Sequence, residues 1–184
     1  MSGRNLDAPD VMFPFYRKSA NRAMIERLHG DIVAAARNPV LFTDYGIDDS
    51  LDGRFEAFTL LAALVLRRLN AIEAPGPDMA QDLADAVFRH FDAGLRESGV
   101  GDASVPKRMK TFTESFQGRA VAYDQALRSG HEALAVALTR NVLSNRPGGD
   151  RLARYAEAAA AALERAQIQA FTSGPVPFPD PAAF

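Results

Sequence analysis

The chain has 184 residues, a net charge of −2, 47% apolar and 24% charged residues, and no cysteine. That length suits one domain with a sizeable core, and the balance is that of an ordinary globular protein. Without cysteine there are no disulfides, thiolate metal sites or cysteine nucleophiles, and the near-neutral charge offers no concentrated basic face for DNA.

Residues 1–16 are expected to be a flexible N-terminus. Met1 to Asp10 carries Asp7 and Asp10 and leads into no apolar run, so neither a secretory signal nor an Arg-rich presequence is expected. The first helix is expected from about Arg17 to Arg37, with Ser19 as N-cap and Ala23, Ile25, Leu28, Ile32 and Val33 on its buried side. The second should run from Asp52 to Ile72. Phe55, Phe58, Ala62, Val65 and Leu69 recur at helical spacing, and Leu61, Leu64 and Leu66 widen the stripe, which predicts a helix at the centre of a bundle. Its most apolar run, Phe58 to Leu66, is far shorter than the roughly 20 residues of a bilayer span.

A third helix is expected from Pro77 or Asp78 to about Ser98, with Leu83, Val87, Phe91 and Leu95 as its stripe. Pro77, Asp78 and Asp82 suit a helix start. A fourth follows Pro106, where Val105, Met109, Phe112, Phe116, Ala120, Tyr123 and Leu127 share a face and Gly118 marks a possible bend. The fifth spans about His131 to Asn145 and the sixth about Asp150 to Phe171. From Thr172 the prolines recur too often for a helix, so the tail should be extended, frayed or lying in a groove. The fold class is therefore all-α: a single compact bundle of about six helices over residues 17–171, with an extended Pro-rich tail over 172–184.

Catalytic patterns are missing. His29, His90 and His131 have no metal-ligand spacing, no serine-nucleophile signature occurs, and Gly99 to Asp102 is neither preceded by a strand nor followed by the lysine of a phosphate loop. Neither a catalytic residue, a metal nor a cofactor is expected. Asp48, Asp49, Asp52 and Glu56 are read as acids complementing the start of the second helix rather than as a carboxylate pair for catalysis. Charge is distributed unevenly: residues 44–104 hold twelve acids and five bases, residues 105–184 ten bases and seven acids. Lys107, Arg108 and Lys110 oppose the dipole of the helix they begin. They are either a solvated face or a contact for an anionic partner such as RNA, lipid headgroups or an acidic protein.

Four stretches in order carry a family likeness: GIDDSLDGRFEAF (46–58), LVLRRL (64–69), FRHFDAGLRESGVGD (88–102) and VPKRMKTFTESFQGRAVAYDQAL (105–127), with a weaker echo in LTRNVL (138–143). In order and spacing the chain resembles the ubiquinol–cytochrome c chaperone family. It departs where the family often carries a histidine at Leu61, an acid at His90 and an aromatic before Gly118 at Gln117; if these positions touch a client or partner, specificity is expected to differ, while the fold should be unaffected. The resemblance implies a non-enzymatic assembly factor for ubiquinol–cytochrome c reductase that binds newly made or unassembled cytochrome b. In mitochondria such proteins work with a small partner protein and associate with the ribosome near the tunnel exit. This chain is expected to be a bacterial cytoplasmic form, peripheral at the ribosome or the inner-membrane surface, and the small partner is not carried over to it.

A chaperone for a polytopic membrane subunit needs an exposed apolar groove with a charged rim. Phe88 with Phe91, and Phe112 with Phe116 and Tyr123, are the candidates for its floor. Asp52, Arg54, Arg96, Glu97, Asp102, Lys107, Arg108, Lys110 and Arg119 are the polar candidates for client or partner binding. Arg54, Arg96, Arg119 and their acidic neighbours could equally form an internal ion-pair network that fixes helix registry. The alternative function is a small-ligand or lipid-binding helical domain with an internal cavity between the second and fourth helices.

Overall fold

The computed structural model describes residues 13–97, 99 and 101–184, with side chains from residue 21 onward. Among these residues the protein is all-helical: α1 (Phe13–Ala36), α2 (Val40–Thr43), α3 (Leu51–Ala71), α4 (Gly76–Glu97), α5 (Val105–Ser129), α6 (His131–Asn141), α7 (Gly149–Arg165), α8 (Ile168–Thr172) and a 3-10 turn at Pro181–Ala183. The six long helices correspond to the six expected, packed as one bundle, while α2 and α8 are short additions. Most of the expectation for residues 1–16 lies outside the described residues, although 13–16 are helical, and Ser19 sits inside α1 rather than capping it.

Helix α3 is the centre, as its wide apolar stripe predicts. Ala57 and every residue from Thr59 to Val65 are buried, and α3 packs against α1, α4, α5 and α7. Its start is fixed by Ser50, whose hydroxyl accepts from the Gly53 amide at 3.1 Å and satisfies one of the first, otherwise orphaned, donors. Gly53 is needed there: a Cβ would lie 2.0 Å from the Asp48 carbonyl oxygen, so the 46–50 loop folds flush onto the helix. On α1, Ile25, Leu28 and Ile32 are buried as expected, but Ala23 is exposed and Val33 half-buried.

Three expectations are corrected. Helix α6 stops at Asn141 rather than Asn145, because Ser144 and Asn145 adopt left-handed conformations (φ 51° and 64°) that turn the chain toward α7. The sixth long helix does not continue to Phe171: Ala166 is extended (ψ 135°) and its carbonyl accepts from Arg68 at 2.8 Å, and α8 begins afresh after it. Helix α5 runs unbroken through Gly118.

The tail is not frayed but tied down along the bundle, with Ser173, Pro175, Asp180, Ala182 and Ala183 left exposed. Arg27 of α1 donates to the carbonyls of Phe171 (2.6 Å) and Gly174, and Asp31 accepts from the Val176 amide at 3.3 Å. Tyr45 donates to Pro181 O at 2.8 Å, and Arg151 of α7 to Phe184 O at 2.9 Å. Phe171, Val176 and Pro181 are buried. Proline removes donors the strap does not need, and the surrounding side chains supply partners for its carbonyls.

Candidate functional site

A groove of about 1070 Å³ opens between the first turns of α3 and α5, the last turns of α4, and the α6–α7 connection. Its floor is aromatic. Phe91 of α4 stacks on Phe112 of α5 with centroids 3.5 Å apart, and Phe55 of α3 meets Phe112 at 5.2 Å. Phe88 and Phe116 form the layer beneath, edge-on to one another at 5.8 Å, with Phe88 edge-on to Phe112 at 5.9 Å. The spacing of Phe88 and Phe91 on α4 and of Phe112 and Phe116 on α5 puts each pair on one face of its helix, and such tilted and stacked contacts are favourable beyond burial alone. Leu51, at the lip, is 83% exposed. Leu51 extends the apolar floor to the surface.

The walls are charged. Contacts of α3 with α5 advance together along both chains (Phe55 with Phe112, Glu56 with Arg119, Arg67 with Asp124), so the two helices run in the same direction and their starts lie at the same end. Asp48, Ser50 and Asp52 line the groove from the α3 side, Ser104, Lys107 and Arg108 from the α5 side, and Arg140, Asn141 and Ser144 from the end of α6 and the turn after it. Asp48 pairs with Arg146 at 2.7 Å. Among the described residues Lys107, Arg108 and Arg140 meet no carboxylate, and neither does Asp52 meet a cation.

Within the groove Arg119 donates to the Glu56 carboxylate at 2.5 Å and lies 5.8 Å from the Phe55 ring centre. Burial pushes the Glu56 carboxyl above its usual range, and the Arg119 guanidinium pulls it part of the way back. Tyr123 lies just below with its hydroxyl buried and lacking a hydrogen bond of good geometry, although Asn141 is near enough to favour its ionised form slightly. Burial, reinforced by the Glu56 charge, holds its pKa far above that of an ordinary tyrosine. This corner can accept polar atoms of a bound chain at Arg119, Arg140 and Asn141. It holds no nucleophile with an adjacent base.

Of the residues singled out from the sequence, Asp52, Phe91, Lys107, Arg108, Phe112 and Arg119 line the groove. Phe88, Phe116 and Tyr123 support its floor from the core. The others lie outside it. Arg54 pairs with Asp49 (2.7 Å) on the surface; Arg96 bridges Asp92 (2.9 Å) and Asp102 (3.0 Å); Lys110 approaches Glu114 (3.8 Å); Glu97 is exposed. The three arginines thus make separate pairs rather than one internal network, and Arg119–Glu56 alone among them joins two helices. Sequence reasoning missed Arg140, Asn141, Val142 and Ser144. For the first three the signal was the LTRNVL stretch (138–143), whose polar residues fall just where a helix ends; Ser144 follows it directly.

His90 also lines the groove. Its Nε2 is 2.5 Å from the Glu26 carboxylate and its ring stacks on His29 at 4.2 Å. Burial, then the nearby His90, lowers the His29 pKa to about 4. Among the described residues no group of three His, Asp or Glu side chains could hold a metal ion, and no helix is long and apolar enough to cross a membrane.

Comparison with known proteins gives two matches. The family model for the ubiquinol–cytochrome c chaperone matches residues 43–178. The crystal structure of the Cbp3 homolog from Brucella abortus superposes with a TM-score of 0.82 at 35% identity, covering 94% of this chain and 98% of that one. Comparison with curated protein sequences found no match.

Proposed function

The chain belongs to the ubiquinol–cytochrome c chaperone family, and from that premise we propose that it is a non-enzymatic assembly factor that holds newly made or unassembled cytochrome b in the α3–α4–α5 groove during assembly of ubiquinol–cytochrome c reductase. The observation that carries this reading is the groove itself: an aromatic floor, an exposed apolar lip at Leu51 and a charged rim. A helix about 10 Å across displaces roughly 80 Å³ per ångström of its length, so the groove volume corresponds to roughly two to three turns. That is the size at which an apolar helix face is gripped by anchors spaced three and four residues apart. Client contact is assigned to Phe91, Phe112, Asp52, Lys107, Arg108 and Arg119, with Leu51 and Arg140 added from the geometry.

The alternative, a lipid or small-ligand domain, called for a closed cavity between the second and fourth long helices. The space lies between those helices, but its rim of exposed residues leaves it open along one side, which suits a chain segment better. An association with the ribosome or the inner-membrane surface in a bacterial cytoplasm belongs to the same reading and would weaken with salt, with the groove-lining cations Lys107 and Arg108 left to the client. The test is photocrosslinking from position 91 or 111 in the native host, with a gene deletion alongside. Crosslinks to cytochrome b and loss of assembled reductase, with the cytochrome b message intact, are expected. Normal reductase in the deletion strain sinks the proposal.

A further inference from the structure

We infer that the groove selects its occupant by charge, taking an apolar helical segment whose flanks carry carboxylates and disfavouring one flanked by lysine or arginine. The inference rests on the groove being the client site and names which kind of segment it holds.

The ionisable groups that line the groove are Asp48, Asp52, Glu56, His90, Lys107, Arg108, Arg119 and Arg140. Four of these are already matched. Asp48 is neutralised by Arg146, Glu56 and Arg119 neutralise each other, and His90 faces Glu26. What remains is three cations, Lys107, Arg108 and Arg140, against the single carboxylate of Asp52. Unpaired arginines such as Arg22, Arg37 and Arg165 occur elsewhere among the described residues, but there they are scattered, whereas Lys107, Arg108 and Arg140 line one groove. Three uncompensated cations around one apolar floor therefore form a local surplus that an incoming chain can neutralise.

The surplus also discriminates against wrong segments. Membrane proteins concentrate lysine and arginine on the cytoplasmic flanks of their spans, and such a flank laid on this rim would set like charges side by side. Selection thus combines attraction to one class with repulsion of the other. Segments, or ends of segments, with acidic flanks are the ones the groove should retain.

Two fluorescent peptides test this, sharing an apolar helical core of about 12 residues, one flanked by glutamates and the other by lysines. Fluorescence anisotropy with the full chain at low salt should give the glutamate peptide about tenfold tighter binding, the sum of a few rim interactions. In Lys107→Glu/Arg108→Glu the preference should reverse, and in Lys107→Gln/Arg108→Gln/Arg140→Gln it should vanish, with thermal melting confirming that each variant folds. Equal binding of both peptides to the native chain overturns the charge selection and leaves the apolar groove standing. An undiminished glutamate preference in the variants overturns the assignment to these cations. Binding of neither peptide overturns the groove reading and this inference together. Vesicles of anionic phospholipid serve as a competitor: failure to displace the peptide is expected, and binding of vesicles in place of either peptide assigns the cations to headgroups and overturns the inference.

Discussion

Arg151 and Arg108 mark two faces of the same bundle. Arg151 donates to the Phe184 and Asp44 carbonyls and lies 4.6 Å from the Tyr45 ring centre, and Arg27 nearby is held by Asp31, Phe171 and Gly174. On this face cations close the C-terminal strap over α1, α2 and α7. Arg108, with Lys107 and Arg140, meets no carboxylate among the described residues. Arg27 and Arg151 are thus spent on closing the fold, whereas Lys107, Arg108 and Arg140 remain available to the proposed occupant.

The comparison can be broken first in the core of the strap face. Phe171→Ala removes a fully buried ring and is expected to cost about 3–5 kcal/mol by denaturant unfolding. Phe91→Ala, on the half-buried groove floor, should cost less than half as much and yet lose the client crosslink. A larger stability cost for Phe91 than for Phe171 would place the aromatic floor with the core. Next comes Arg119→Ala, which leaves the Glu56 carboxyl buried without its partner and should cost about 1–3 kcal/mol. Glu56→Gln in the same chain should recover part of that, and strict additivity of the two substitutions would show that the pair is not coupled. Ser50→Ala removes the α3 cap at the groove mouth and should cost about 1 kcal/mol.

The smallest effects are those of pH. His131, between Asp150 (2.8 Å) and Glu157 (2.9 Å), has its pKa raised above 6.5 by those hydrogen bonds. Its contribution is therefore fully present below pH 6.5 and disappears as pH rises through the higher folded value. His29 works in the other sense. With a folded pKa of about 4 against 6.5 unfolded, the unfolded chain takes up the proton first as pH falls, so stability declines between those values. Melting curves across pH should show a shallow maximum near pH 6.5. His131→Ala should flatten its alkaline side and His29→Leu its acid side, and an unchanged profile in either variant refutes that histidine's part.

The long helices were legible because each buries one stripe, and a stripe such as Phe112, Phe116, Ala120 and Tyr123 repeats at helical spacing whatever it packs against. The break at Ala166 was not legible, since the local pattern continues and only Arg68, 98 residues away in sequence, supplies the hydrogen bond that holds the extended carbonyl. The same divide runs through the site. Phe91, Phe112 and Lys107 belong to short motifs and could be picked out. Arg140 enters the groove from the last turn of α6, and Ser144 from the left-handed turn after it, where Arg146 ties the chain to the Gly46 carbonyl in the loop before α3. Arg96 and Asp102, read from the sequence as either client contacts or ion-pair partners, pair with one another across the end of α4 and the loop before α5.

The parallel course of α3 and α5 has a kinetic consequence. Each helix leaves about half a positive charge at its first turn, and both first turns lie at one mouth beside Lys107 and Arg108. At physiological ionic strength that combined field fades within about 8 Å, so it guides an acidic flank over the last part of its approach. Exposed rim charges act chiefly on arrival, and the buried aromatic contacts on residence. For this groove, added salt should slow the association of an acid-flanked segment more than it shortens its bound lifetime.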